Sequence, residues 1–167
     1  MGIKMSEVIE LVKSSAKGEV VGYETWEIPK IERLYDIEVK GSLKEFLLAI
    51  GRCSGGAISS EYIFLYQEYT VRTYLGLDFS LIDDLQNLGH FDLVGLKPFL
   101  FAIEAENYYM FLLTKEEGEQ FVYCFDENED KVTKTRQTLS DYISYEVKRA
   151  LEFYGQGIVC HGDLLKI

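Results

Sequence analysis

Three apolar runs follow one another with almost nothing between them: PFLFAIE (98–104), NYYMFLLT (107–114) and QFVYCFD (120–126). Each is short and rich in aromatic and aliphatic residues, the character of strands bounded by turns. The joints AEN and KEEGE are both short enough for antiparallel hairpins. NYYMFLLT is apolar at consecutive positions, which predicts a central strand covered by helices on one side. DENEDK closes the third run, and KVTKT (131–135) reads as an edge strand whose lysines discourage pairing with other chains.

Helices flank this meander. Ser6–Lys17 predicts a helix with Ser6 as cap, Val8, Ile9 and Val12 on one face and Gly18 as stop. Pro29 suits the first turn of a second helix with Ile31, Leu34 and Tyr35 inward, and Trp26 is expected to staple its entry to the core. In GSLKEFLLAIG (41–51), Ser42 and Glu45 form a capping-box pattern. Leu43, Phe46, Leu47 and Ile50 recur at i, i+3, i+4 and i+7, and Gly51 is placed to end the helix in the left-handed conformation. Gly55 and Gly56 then reverse the chain. EYIFLY (61–66) reads as a strand, and SLIDDLQNLG as a helix from Ser80, with Asp83 at its third position, to Gly89. A last helix places Ile143, Val147, Ala150, Leu151 and Tyr154 on one face, with Thr138 or Ser140 as cap and Gly155 as stop. The tail QGIVCHGDLLKI adds a short strand. Helices, then a meander, then a helix make an α+β fold, with a mixed or mostly antiparallel sheet of about five or six strands. The 167 residues suit one domain.

Charge and cysteine usage narrow the classes. The net charge is −11, and nine acids against Lys115 alone between Glu104 and Asp130 account for −8 of it. Such a field repels nucleic acid and membrane headgroups and steers basic partners in; its plainer use is to keep an aromatic-rich protein dissolved. No apolar stretch nears the roughly 20 residues of a membrane helix, and Glu7 and Glu10 break any secretory signal. Cys53, Cys124 and Cys160 cannot all pair and form no CxxC motif, which points to a reduced, cytoplasmic protein.

The residues supply no catalytic or metal constellation. The glycines of RCSGGAI follow a helix instead of opening one, and no lysine comes after them, so the loop cannot cradle a phosphate. Cys53 near a helix end has no base assigned to it, and no GxSxG surrounds Ser54. His90 and His161 are too few for a zinc site. DENEDKVTKTRQ lacks the glycine and glutamate of a calcium loop. Asp83-Asp84 and Glu116-Glu117 read as solvated faces. The expectation is therefore no enzyme, no cofactor and no metal.

The order of motifs is more specific than any one of them. A tryptophan-bearing lead-in, IERLYDIEV, SLKEFLLAIGRCSGG, FLFA, NYYMFLLT, FVYCFDE and TLSDYI resembles the SUKH superfamily across about residues 26–145. Ile31, Leu34 and Lys44 to Leu47 match the family's early helices. Ser54-Gly55-Gly56 stands where Asn-Gly-Gly is usual, and Val39-Lys40 where a Leu-Pro pair is usual. Phe101-Ala102, Tyr108 to Leu112, Val122-Tyr123 and Leu139 to Ile143 match the later run. The resemblance implies one SUKH-like domain over 1–167, with its core at about 26–155 and helix 6–17 as an extension. Trp26, Phe46, Gly55 and Gly56 are its structural residues. It also implies an immunity role, in which the protein binds and neutralises a toxin domain, often a nuclease. The acidic tips Glu116, Glu117, Glu119, Asp126, Glu127, Glu129 and Asp130 would then meet a basic protein partner, with neither nucleic acid nor membrane involved. The alternatives are a regulatory or scaffolding module with no toxin, and a small-ligand protein using Tyr62, Tyr66, Tyr69 and Tyr74, whose plainer use is sheet and core packing. The sequence leaves the oligomeric state open.

Overall fold

The computed structural model describes residues 2–58 and 71–153. Along the chain run α1 (Met5–Ser15), β1 (Val20–Val21), a single 3-10 turn (Thr25–Glu27), α2 (Ile28–Tyr35), α3 (Gly41–Ile50) and β2 (Cys53–Ser54). After these come α4 (Val71–Asn87), α5 (Phe91–Gly95), β3 (Pro98–Glu104), β4 (Tyr108–Leu113), β5 (Phe121–Asp126), β6 (Lys131–Thr138) and α6 (Leu139–Phe153). The fold is α+β, with antiparallel pairing throughout the described strands.

The meander forms as its short joints allow, in the order β3-β4-β5-β6, with the lysine-bearing β6 at an edge. Phe111 sits between Leu100 and Tyr123, and Leu112 between Phe99 and Val122. Phe111, Leu112 and Leu113 are all fully buried, so β4 is covered on both faces at this end and not on one. At the β3–β4 tip, Ala105 and Glu106 both have positive φ, 47° and 65°. That is the mirror-image turn whose twist matches a hairpin, held here without the usual Asn-Gly. A bulge between Leu100 and Ala102 turns Phe101 onto the ring of Tyr142 on α6, at 5.1 Å between centroids.

The six described strands are split between two sheets. β1 and β2 pair Val20 with Ser54 and Val21 with Cys53, apart from the meander. The glycine loop closes this small sheet: the Gly55 carbonyl accepts the Lys17 and Gly18 N–H groups, both at 2.9 Å. Gly55 and Gly56 take φ of 62° and 81°, as a chain reversal requires. Gly51 does not, since its φ is −65°. It is glycine for space, because a Cβ there would lie 2.7 Å from the Leu47 Cα and 3.0 Å from the Tyr23 ring.

Several expected boundaries move for identifiable reasons. α1 starts at Met5 because Lys4 is the cap residue, its N–H given to the Glu7 carboxylate at 3.1 Å. Val8 and Val12 are buried and Ile9 is half-buried. α3 starts at Gly41, so Ser42 lies inside the first turn and its capping box with Glu45 does not form. The stripe Leu43, Phe46, Leu47 and Ile50 is buried as predicted. α4 begins well before Ser80, which is an exposed interior position. Gly76, and Asp78 at a core position one turn before the buried Leu81, had masked its periodicity. At α6 the cap is Thr138: its Oγ1 accepts the Asp141 N–H at 3.2 Å, and Asp141 accepts the Thr138 N–H at 3.0 Å. Ile143 and Val147 are buried, whereas Leu34 of α2 and Leu151 of α6 face solvent. The strand EYIFLY, Tyr62, Tyr66, Tyr69, the side chain of Tyr74, and the residues from Tyr154 onward lie outside the described residues.

Trp26 is not a staple. It is 62% exposed, with the Lys30 ammonium 4.3 Å over its ring. A turn of three residues points neighbours about 120° apart, and Glu27 takes the inward direction. Its carboxylate pairs with Arg52 and accepts the Glu24 N–H at 2.9 Å. Arg52 in turn lies 4.5 Å over the Tyr23 ring, which ties this turn to the end of α3.

Two predictions follow from this packing. A Cβ on Gly22 would fall 1.8 Å from the Leu48 carbonyl oxygen, whereas one on Gly41 (φ 53°) meets nothing within 4 Å. Denaturant titration should therefore show Gly22→Ala losing more than about 2 kcal/mol, against roughly 1 kcal/mol for Gly41→Ala. The second concerns pH. Burial pushes the Glu146 carboxyl up to about 7, with Arg149 opposing and Glu104 adding to the rise. A raised folded pKa gives a contribution fully present below the unfolded value near 4.3 and lost as pH rises through about 7. Stability measured from pH 5 to 8.5 should fall in wild type, and the fall should be smaller in Glu146→Gln.

Candidate binding surface

Hairpins alternate ends, so the acids of residues 104–130 cannot form one patch. The β4–β5 connection carries Glu116, Glu117 and Glu119 to one end of the sheet. The β3–β4 and β5–β6 connections carry Glu106, Glu127, Glu129 and Asp130 to the other, with Glu104 and Asp126 at the adjoining strand ends.

At the first end one of the three acids, Glu116, is held within the fold. Glu116 accepts the Tyr123 hydroxyl at 2.9 Å and the Lys134 ammonium at 2.7 Å. Lys134 also lies 4.9 Å over the Phe121 ring, and its hydrogen bond to Glu116 raises its pKa. The second Glu116 oxygen is buried without a hydrogen-bond partner. Glu116 is therefore a clasp across the β4–β5 connection and β6, not a free contact residue. Glu117 and Glu119 are exposed and border a cavity of about 510 Å3 shared with the first turns of α1, α3 and α6. Helix starts carry partial positive charge, which suits the carboxylates placed beside them.

At the second end the charge is left open. The Glu127 N–H donates to the Asn107 carbonyl at 3.0 Å, joining two hairpin tips, and the Asn128 N–H donates to the Asp126 carboxylate at 3.0 Å. Glu127, Glu129 and Asp130 are exposed. Among the described residues no cation pairs with any of them. α4 brings Asp83 and Asp84 alongside. Burial, then the charges of Glu127, Asp130 and Asp83, hold the Asp84 carboxyl above the ordinary range. Tyr109 is held up by burial, by Glu127 and Asp84, and by a hydrogen bond to Glu127. Asp83 and Asp84 read as a solvated pair in the sequence. Only the packing of α4 beside the meander brings them to these tips, and no local pattern announces it.

The remaining candidates have structural roles. Phe46 is buried in the core, and Gly55 and Gly56 shape the loop. Cys53 is half-buried, its sulfur accepting the Gly55 N–H at 3.4 Å. Burial, then Glu104 and Asp126, push the Cys124 thiol up to about 11, the opposite of an activated nucleophile. Among the described residues no His, Cys, Asp and Glu group has metal-binding geometry, and no helix is long and apolar enough to cross a membrane. No family model, no curated protein and no solved structure matches the chain.

The two ends should respond oppositely to neutralisation. Glu127→Gln with Asp130→Asn should raise the denaturation midpoint in low salt, by a margin that shrinks as salt screens the repulsion. Glu116→Ala should lower stability by about 1–2 kcal/mol and do so at any salt concentration.

Proposed function

We propose that the chain is a SUKH-like, non-enzymatic binding domain of the immunity type, whose partner is a basic toxin domain. The observation that carries this is the acidic end made by Asp84, Glu127 and Asp130, where no described cation pairs with the acids and where burial, then the charges of Glu127 and Asp130, raise the proton affinity of Asp84. Like charges held together without cations weaken a fold, and an opposing surface on a partner reverses that cost. A nuclease must attract phosphate, so an inhibitor seated on its site gains from carrying acids of its own. The order of motifs supports the same assignment through its resemblance to SUKH domains. The contact surface belongs to the β3–β4 and β5–β6 tips with the end of α4, more than to Glu116, which the fold employs.

The test is association with a toxin domain encoded beside this gene, followed at low and high salt. Glu127→Lys with Asp130→Lys should slow association by at least about tenfold at low salt, and Glu117→Lys with Glu119→Lys by much less. An affinity indifferent to salt would remove charge complementarity as the basis of binding. A regulatory module with no toxin partner would show no such binding at all.

A further inference from the structure

We propose that the cleft between α2, α4, α5 and the start of β3 is a binding site for an apolar amine, a body of side-chain size carrying one ammonium group received by the Asp78 carboxylate. The cavity is about 220 Å3, below the roughly 300–1,000 Å3 of sites for larger molecules. Its walls are apolar: Leu34 from α2, Phe79 and Ile82 from α4, Val94 from α5 and Pro98 from β3. Leu34 and Phe79 stay 40% and 59% exposed, which leaves large apolar side chains in solvent around a concave opening.

Asp78 is the buried carboxylate of this cleft, whose lining also includes Tyr35, Asp36 and Lys97. It is 3% exposed and accepts the Leu100 N–H at a long 3.4 Å. Among the described residues no cation pairs with it. Lys97, the cation in the lining, is turned to Asp36 instead, and Tyr35 faces Asp78 from α2. Burial pushes the Asp78 carboxyl up to about 7, with the Leu100 N–H opposing. An asparagine or threonine would satisfy that N–H without the expense of a buried ionisable group. A carboxylate in an apolar cleft is matched instead by a cation with an apolar stem. The amine is either a free small molecule or a lysine side chain presented by a protein, and both offer Asp78 the same chemistry.

Titrating the full-length protein with n-hexylammonium, 1-hexanol and hexanoate, and following the Leu100 amide by NMR, tests the site. Hexylammonium should bind saturably, at least about tenfold more tightly than the alcohol or the acid. It should bind about tenfold or more tightly at pH 8 than at pH 5.5, because Asp78 ionises across that range while the amine stays charged. Asp78→Asn keeps an acceptor for Leu100 and the shape of the cleft, and should abolish the preference for the amine. Phe79→Ala, at an exposed position, should weaken binding without unfolding the chain. An Nα-acetyl-lysine methylamide arm decides the source: binding equal to hexylammonium assigns the site to a protein lysine, and weaker binding assigns it to a free amine. Equal binding of alcohol and amine, or an unchanged amine affinity in Asp78→Asn, overturns the proposal. Binding seen only after Lys97→Ala also overturns it, because Lys97 would then be the native occupant.

Discussion

The fold depends on keeping the second half of β4 dry. Phe111 and Leu112 point to opposite faces and both are fully buried, so no single layer of helix can satisfy the strand. Its neighbours β3 and β5 supply the hydrogen bonds, and their own Phe99, Leu100, Val122 and Phe125 extend the apolar surface. α6 closes part of this surface through Tyr142, whose ring meets Phe101 and whose hydroxyl donates to Glu104 at 2.6 Å. α1 and α3 then pack against α6 and each other, carrying the N-terminal third of the chain.

Close backbone approach attaches that N-terminal third. Gly22 and Gly51 let the segment after β1 lie on α3, with the Tyr23 N–H donating to the Leu47 carbonyl at 2.8 Å. Glu27 and Arg52 clamp the same junction. The acids divide by the same geometry: at one sheet end Glu116 is held by Lys134 and Tyr123, and the other gathers Asp84, Glu127 and Asp130 with no cation among the described residues. That difference separates Glu116, which the fold uses, from acids that the described fold leaves in solvent.

Much of the fold was legible because local rules agreed with tertiary demand. PFLFAIE, NYYMFLLT and QFVYCFD became strands since length, turn spacing and apolar content all pointed one way. The stripe Leu43, Phe46, Leu47 and Ile50 was buried for the same reason. The misreadings arose where a tertiary contact overrode a local signal. Trp26 was expected to staple its helix to the core, but the inward position is taken by Glu27, which pairs with Arg52. Ser80 looked like a cap because the buried Asp78 and the small Gly76 interrupted the stripe of α4. Gly51 was expected to need positive φ and needed space instead.

By itself the sequence determined the antiparallel meander, the flanking helices and the excess of acid, because each rests on residues near one another in the chain. Tertiary structure decided which acids stand together and which are spent. It also decided that Asp78 lies under an apolar cleft. Both depend on where α4 packs beside β3 and the hairpin tips. That docking is set by long-range burial, and no spacing along the chain encodes it.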